Sequence, residues 1–285
     1  MTHHGWGAMA RTALCWAILT ALPGCAGKTP ATAAGPEATQ AAASATAEPT
    51  EAKDILLRMA RYLAGTPRFS VNVKDNYDVL QESGQMIEFG ETRQITVSRP
   101  DRLRVEVMHS DNDKHIVLYD GKDITVFSPE QNVYAQTSKP GGIDAAVVYF
   151  LKDLHMRLPL AVLLLSRFPE EIERRTRSLD YVEKTQIDGA PAHHLAGRTD
   201  TVDYQVWIAE GAKPLPLRVV LTYKNADGNP QFRAQFAEWN LSPQIQDTQF
   251  AFKPPEGGRK IAFLAQLPKF EPRGAATPEL TGERK

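Results

Sequence analysis

Two periodicities divide the chain. From Glu51 to Ala64 the apolar residues Ile55, Leu56, Met59, Tyr62 and Leu63 fall on one side of a helix, and Gly65 with Pro67 ends the pattern. Beyond it the period becomes two. Phe69, Val71 and Val73 alternate with Ser70 and Asn72, and Tyr77 and Val79 continue that face. Ile87 with Phe89, Ile95 with Val97, and Leu103 with Val105 and Val107 repeat it, separated by Glu82-Ser83-Gly84 and Arg99-Pro100-Asp101. Ile116–Tyr119, Ile124–Phe127 and Val133–Ala135 follow at the spacing of a meander, with Asp120-Gly121 as a sharp turn. A second set is predicted over Tyr181–Ile187, Ala192–Gly197, Val202–Ile208, Leu217–Tyr223 and Phe232–Trp239. Parallel pairing needs long crossovers that these short links do not supply, so the sheet is expected to be antiparallel with one apolar side.

The long interruption runs from Ile143 to about Arg177. Ile143, Ala146, Val147, Phe150, Leu151 and Leu154 fall at helical spacing, and Leu158 to Leu165 carries almost no polar side chain. A segment apolar on every side must be surrounded by apolar matter, and eight residues cannot cross a membrane. The expected class is therefore mainly β with α: a curved, unclosed antiparallel β-barrel of about ten or eleven strands, with an N-terminal helix and a helical plug or lid insertion. Its cavity and lid would be built from Val105, Val107, Phe150, Leu154, Leu160, Leu163, Leu164, Val206, Ile208, Val219 and Leu221, with Gly141 and Gly142 as a hinge. The plainer alternative is that Leu160 to Leu165 only fills the core of the curved sheet.

The ends differ from this domain. A short apolar run, Thr12 to Leu22, follows Arg11 and precedes Leu22-Pro23-Gly24-Cys25, as in an export leader. The tetrapeptide resembles the bacterial lipobox, which implies cleavage before Cys25 and acylation of that cysteine. Pro23 departs from the pattern; an ordinary secretory leader with an incidental cysteine is the alternative. Residues 1–24 are thus read as a lipoprotein signal peptide, 25–50 as a disordered Ala/Thr/Pro-rich tether, 51–270 as the β domain and 271–285 as a disordered tail. Two or three acyl chains would fix the protein to its membrane, and Ala26 after the cysteine, by resemblance to the enteric sorting rule, favours the outer membrane. Cys15 and Cys25 are the chain's two cysteines, which excludes a disulfide within the mature chain and thiolate metal cages. With 33 basic against 34 acidic residues, nothing suggests nucleic acid.

Ile187-Asp188-Gly189, Pro191-Ala192-His193-His194-Leu195, Asp203 to Ile208, Pro214-Leu215-Pro216, Ala237-Glu238-Trp239-Asn240 and Phe252 to Gly257 occur in an order that resembles a bacterial family of predicted periplasmic proteins, domain of unknown function 2092. The likeness covers roughly Ile55 to Phe263. That family is similar in layout to the lipoprotein-carrier superfamily, which implies an unclosed barrel around an apolar cavity covered by helices. It implies no catalytic residues.

The residues themselves offer little chemistry. Adjacent His193 and His194 must point to opposite faces of a strand and cannot share a metal. His109 and His115 flank Asp111 and Asp113 across a turn that could hold a divalent ion weakly, though such tips are commonly just solvated. Ser83 and Ser128 lack a nucleophile elbow, Gly141-Gly142 lacks a phosphate-cradling context, and Glu170 to Arg175 reads as a solvated helix face. No cofactor and no functional metal are expected. The expected function is a non-enzymatic, monomeric, membrane-anchored module facing the periplasm that takes a lipid or an acylated protein's chains. An envelope sensor or scaffold that binds a protein through its sheet edges, its cavity filled by its own helix, is the second hypothesis, and a hydrolase the third.

Overall fold

The computed structural model describes residues 49–153 and 158–263. Cys25, the leader, the tether up to residue 48, Leu154 and the tail lie outside them. The N-terminal helix, α1, spans Pro49–Gly65 and buries Ile55, Leu56, Leu57, Met59 and Leu63, while Tyr62 stays half-buried. Each buried aliphatic side chain contributes about 1.5–3 kcal/mol, so this one stripe holds the helix on the sheet. Thr66 closes it, its hydroxyl donating to the Tyr62 carbonyl at 2.7 Å.

Strands follow as β1 (Arg68–Leu80), β2 (Met86–Ser98), β3 (Arg102–His109), β4 (Lys114–Tyr119), β5 (Asp123–Ser128) and β6 (Val133–Ser138). After an insertion come β7 (Ser178–Ile187), β8 (Ala190–Arg198), β9 (Val202–Ala209), β10 (Pro216–Tyr223), β11 (Gln231–Asn240) and β12 (Arg259–Lys260). They form one curved, unclosed sheet in the order β12-β6-β5-β4-β3-β2-β1-β11-β10-β9-β8-β7. Every pair is antiparallel except the last addition, β12, whose two residues run parallel to β6. This strand was not expected, since Arg259-Lys260 has no alternation to read; the backbone bonds Arg259 N–H to Asn132 and Ile261 N–H to Tyr134 create it. The chain reaches that edge by passing over the outer face, where Phe252 packs on Phe127 and Tyr134.

Register lines up the inner face. Phe69 pairs with Val97, Val97 with Leu103, Leu103 with Tyr119 and Tyr119 with Ile124, so one row of apolar residues crosses five strands. On the other side of β1, Tyr77 faces Phe232 and Phe232 faces Leu221.

The insertion is less regular than its apolar spacing predicts. It consists of α2 (Ile143–Val148), a π turn at Tyr149–Asp153, a 3-10 turn at Ala161–Leu164 and α3 (Phe168–Arg175). Pro159 has no N–H to give a helix and biases Leu158 toward extended backbone, so the leucine run folds back on itself as turns. Leu160 and Leu165 are buried, and Leu163 and Leu164 half-buried, against the inner face.

Candidate functional site

The broken insertion leaves hollows on the inner face that a straight helix would have filled. One groove, about 520 Å³, lies between the 3-10 turn, α3 and β9–β10. Val206, Val219 and Leu221 form its floor, Leu163 and Ile172 its wall, and Arg174, Arg175 and Arg177 stand at its rim. Alternation along β9 and β10 supplies the floor. The rim guanidiniums are already engaged: Arg174 and Arg175 with Glu171 at 2.8 and 3.0 Å, and Arg177 with Asp200 at 2.7 Å. Tyr204 closes one side; its ring lies over Gly197 of β8, and its hydroxyl meets the Thr176 hydroxyl at 2.8 Å. Burial pushes that phenol up to about 12.

A smaller cavity, about 120 Å³, lies between α2, the 3-10 turn and strands β2–β5. Of the residues expected to line a cavity, Val105, Val107, Phe150, Leu160 and Leu164 border this one, and Leu160, Leu163, Val206, Val219 and Leu221 border the groove. Ile208 is wholly buried in the core. Gly141 and Gly142, expected as a hinge, are fastened. The Tyr119 hydroxyl donates to the Gly141 carbonyl at 2.7 Å, Gly141 N–H reaches Gly121, and Ile143 N–H reaches Pro100 at 2.8 Å. Arg99 donates to the Leu164 carbonyl at 2.6 Å, and Ser166 bonds Asp144 through both its N–H and its hydroxyl. A swing about the glycines would first break these bonds, whereas the groove is open without it.

The feature that sequence reading missed is a charged cluster on the same inner face. Asp75 is fully buried in β1 at the position that Val73 and Tyr77 flank, and in β2 Glu91 and Arg93 interrupt the row from Phe89 to Ile95. Arg93 grips Asp75 with two bonds of 3.0 Å and Glu91 with one of 2.6 Å, and His109 Nδ1 meets Glu91 at 2.9 Å. His115 adds an edge-on ring contact with His109 at 5.3 Å. Burial, with Glu91 adjacent, outweighs the single guanidinium and raises Asp75 to about 6. Hydrogen bonds from His109 and Arg93 hold Glu91 below the usual carboxylate range despite its burial, and Glu91 in turn raises His109. The signal was available: the period of two continues through these charged residues without slipping.

His109 and His115 thus turn inward, away from the Asp111-Asn112-Asp113 turn. His193 and His194 do point to opposite faces: His193 meets the Tyr181 hydroxyl at 3.2 Å, and His194 stacks on Trp207 at 4.1 Å. Among the described residues no three histidine, cysteine or acidic side chains converge as a metal site, and no helix is long and apolar enough to cross a membrane. A hollow of about 640 Å³ also exists on the outer face, but its walls include Asn72, Lys74, Thr92, Gln94 and Lys114, side chains that water serves equally well.

Residues 52–264 match the family model described as predicted periplasmic protein (DUF2092). The chain belongs to this family. It is the one that the motifs around Ile187–Leu195 and Phe252–Gly257 resemble. Among solved structures the chain is similar to the lipoprotein LppX of Mycobacterium tuberculosis, at 13% identity over 70% of this chain and 100% of that one, with a TM-score of 0.45. It is also similar to an uncharacterized conserved protein of Thermus thermophilus, at 12% identity, 74% and 99% coverage and a TM-score of 0.44. A LolA superfamily protein of Nitrosomonas europaea gives 12%, 70% and 97%, and 0.35. No curated protein matches the chain.

Proposed function

We propose that this periplasmic protein is a non-enzymatic binding module that holds the acyl chain of a lipid, or of an acylated protein, in the groove between α3, the 3-10 turn and β9–β10. The observation that carries the reading is the groove itself: about 520 Å³, floored by Val206, Val219 and Leu221 and reachable without moving the insertion. That volume sits inside the roughly 300–1,000 Å³ range of ligand pockets. A chain laid there replaces water on apolar side chains at about 25 cal/mol per Å². Acylated Cys25 would tether the module, as a monomer, to the membrane, by preference the outer one, and no cofactor enters. The test is to strip the chain of lipid, incubate it with envelope lipid extract, repurify it and weigh it by native mass spectrometry. A mass increment matching a lipid supports the reading, and unchanged protein across lipid classes overturns it.

Edge recruitment of a protein is a second reading. It rests on β7, an edge strand of the sheet that leaves Val182 46% exposed.

A further inference from the structure

Resting on the acyl-chain reading, we propose that the groove continues inward to a polar subsite, built by Glu91, Arg93 and Tyr77, that receives the uncharged, hydroxyl-bearing head of a single-chain amphiphile. Beneath Leu158-Pro159 lies a pocket of about 80 Å³ whose walls include Tyr77, Glu91, Arg93, Tyr223 and Phe232. Leu158 and Pro159 also wall the groove, so the two hollows share that partition. The floors join as well, because Leu221 of the groove pairs across the strands with Phe232 of the pocket, and Phe232 with Tyr77. A chain lying in the groove would pass this partition to bring its head to the guanidinium and the carboxylate.

The fold does not ask for these charges. Val73 and Val107 flank Arg93 across the sheet, and an apolar residue there would extend the row already formed by Val71, Ile95 and Val105. Burying charge is costly, and replacing a buried ion pair by well-packed apolar residues is often neutral or stabilising. Nor is the network closed on itself: Arg93 uses Nε and Nη2 for Asp75 and Glu91, Nη1 takes part in none of those bonds, and the buried Nε2 of His109 has no hydrogen-bond partner.

Charge selects the head. Arg93 already faces the carboxylates of Asp75 and Glu91, His109 faces Glu91, and the neighbouring Asp78 is held by Arg233, so each charge around the pocket has its partner before a ligand arrives. A bare anion or cation would give up its hydration there with no free counter-charge to meet it. A hydroxyl accepts from Arg93 and donates to Glu91.

The test measures displacement of a chain-bearing fluorescent probe from the lipid-free full chain by hexadecanol, hexadecyl methyl ether and the hexadecanoate ion at pH 8. The expected order places the alcohol at least about tenfold tighter than the ether, since the hydrogen bond to a charged acceptor is lost. Glu91→Gln, which keeps the side chain's shape, should reduce that ratio to about two, and Tyr77→Phe, which leaves the ion pairs intact, provides a second variant that should lower it as well. Equal affinity for alcohol and ether in the native chain overturns the subsite while leaving acyl binding standing. Hexadecanoate binding tightest, with a preference removed by Arg177→Gln and not by Glu91→Gln, also overturns it, because the head then lies at the outer rim. If no ligand displaces the probe, or the probe itself does not bind, both readings fall together.

Discussion

Two elements cover the inner face of the same sheet, and they do so in opposite ways. Helix α1 is unbroken over 17 residues and buries Leu56, Met59 and Leu63. The insertion from α2 to α3 also turns a leucine run to the sheet but is broken by its π turn, by Pro159 and by a 3-10 turn, and it leaves hollows of about 520 and 120 Å³. The contrast teaches that apolar content alone does not determine close packing; continuity of the helix does. Stability should accordingly be concentrated in α1 and capacity in the insertion. Leu63→Ala, at a side chain with no exposure, is expected to cost about 2–5 kcal/mol in urea unfolding, as buried leucine truncations do. Leu163→Ala, at a half-buried groove wall, should cost less than half as much. Equal losses would erase the distinction.

The next effect sits where the two coverings meet. The Tyr204 ring occupies the space over Gly197, its cross-strand partner, so a methyl group there overlaps the ring. Gly197→Ala should destabilise by about 1–3 kcal/mol, the usual range for overpacking, and force Tyr204 toward the groove. Loss of the Tyr204 to Thr176 contact, read from a crystal structure of the variant, checks the direction.

A smaller effect is carried by pH. The folded value of Asp75, about 6, lies above the unfolded value of about 3.9, so its contribution is complete below about pH 4 and lost as pH rises through 6. His109 is also raised, and its contribution disappears above its ordinary range near 6.5. Glu91 is lowered and contributes only above its ordinary range, being lost in strong acid. Unfolding free energy should therefore decline on the order of 1–2 kcal/mol between pH 5 and 8, and Asp75→Asn should flatten the slope below pH 7. A native profile as flat as the variant's would count against a buried, proton-coupled Asp75.

Much of the fold was legible because burial on one side writes itself as alternation. Val202, Tyr204, Val206 and Ile208 announce β9 and its inner face, and the spacing of Ile55, Met59 and Leu63 announces α1. The parallel strand β12 left no such mark, being two charged residues held by backbone bonds. The leucine run was legible as buried but not as turns, because the weight of one proline against seven apolar neighbours is decided by tertiary packing. The charged cluster was hidden by a habit of reading: Val73, Asp75, Tyr77 and Phe89, Glu91, Arg93, Ile95 keep strict period, and a charge held in register on an apolar face is itself the sign of a site.

The smallest expected change in stability separates function from folding most cleanly. Leu163 lies on the 3-10 turn, half-buried, with its side chain bordering the groove rather than locked between elements. Leu163→Trp adds volume into open space, so no neighbour must shift and unfolding should stay within about 0.5 kcal/mol of the native chain. The same indole would occupy the trough above Val219 and Leu221, where the acyl chain is placed. Uptake of lipid should then fall to background while the urea midpoint is unchanged. Lipid bound as before would mean that the chain lies elsewhere, in the cavity under Phe150 and Leu164 or at no fixed site, and the open groove beside the broken insertion would be a by-product of Pro159 rather than its purpose.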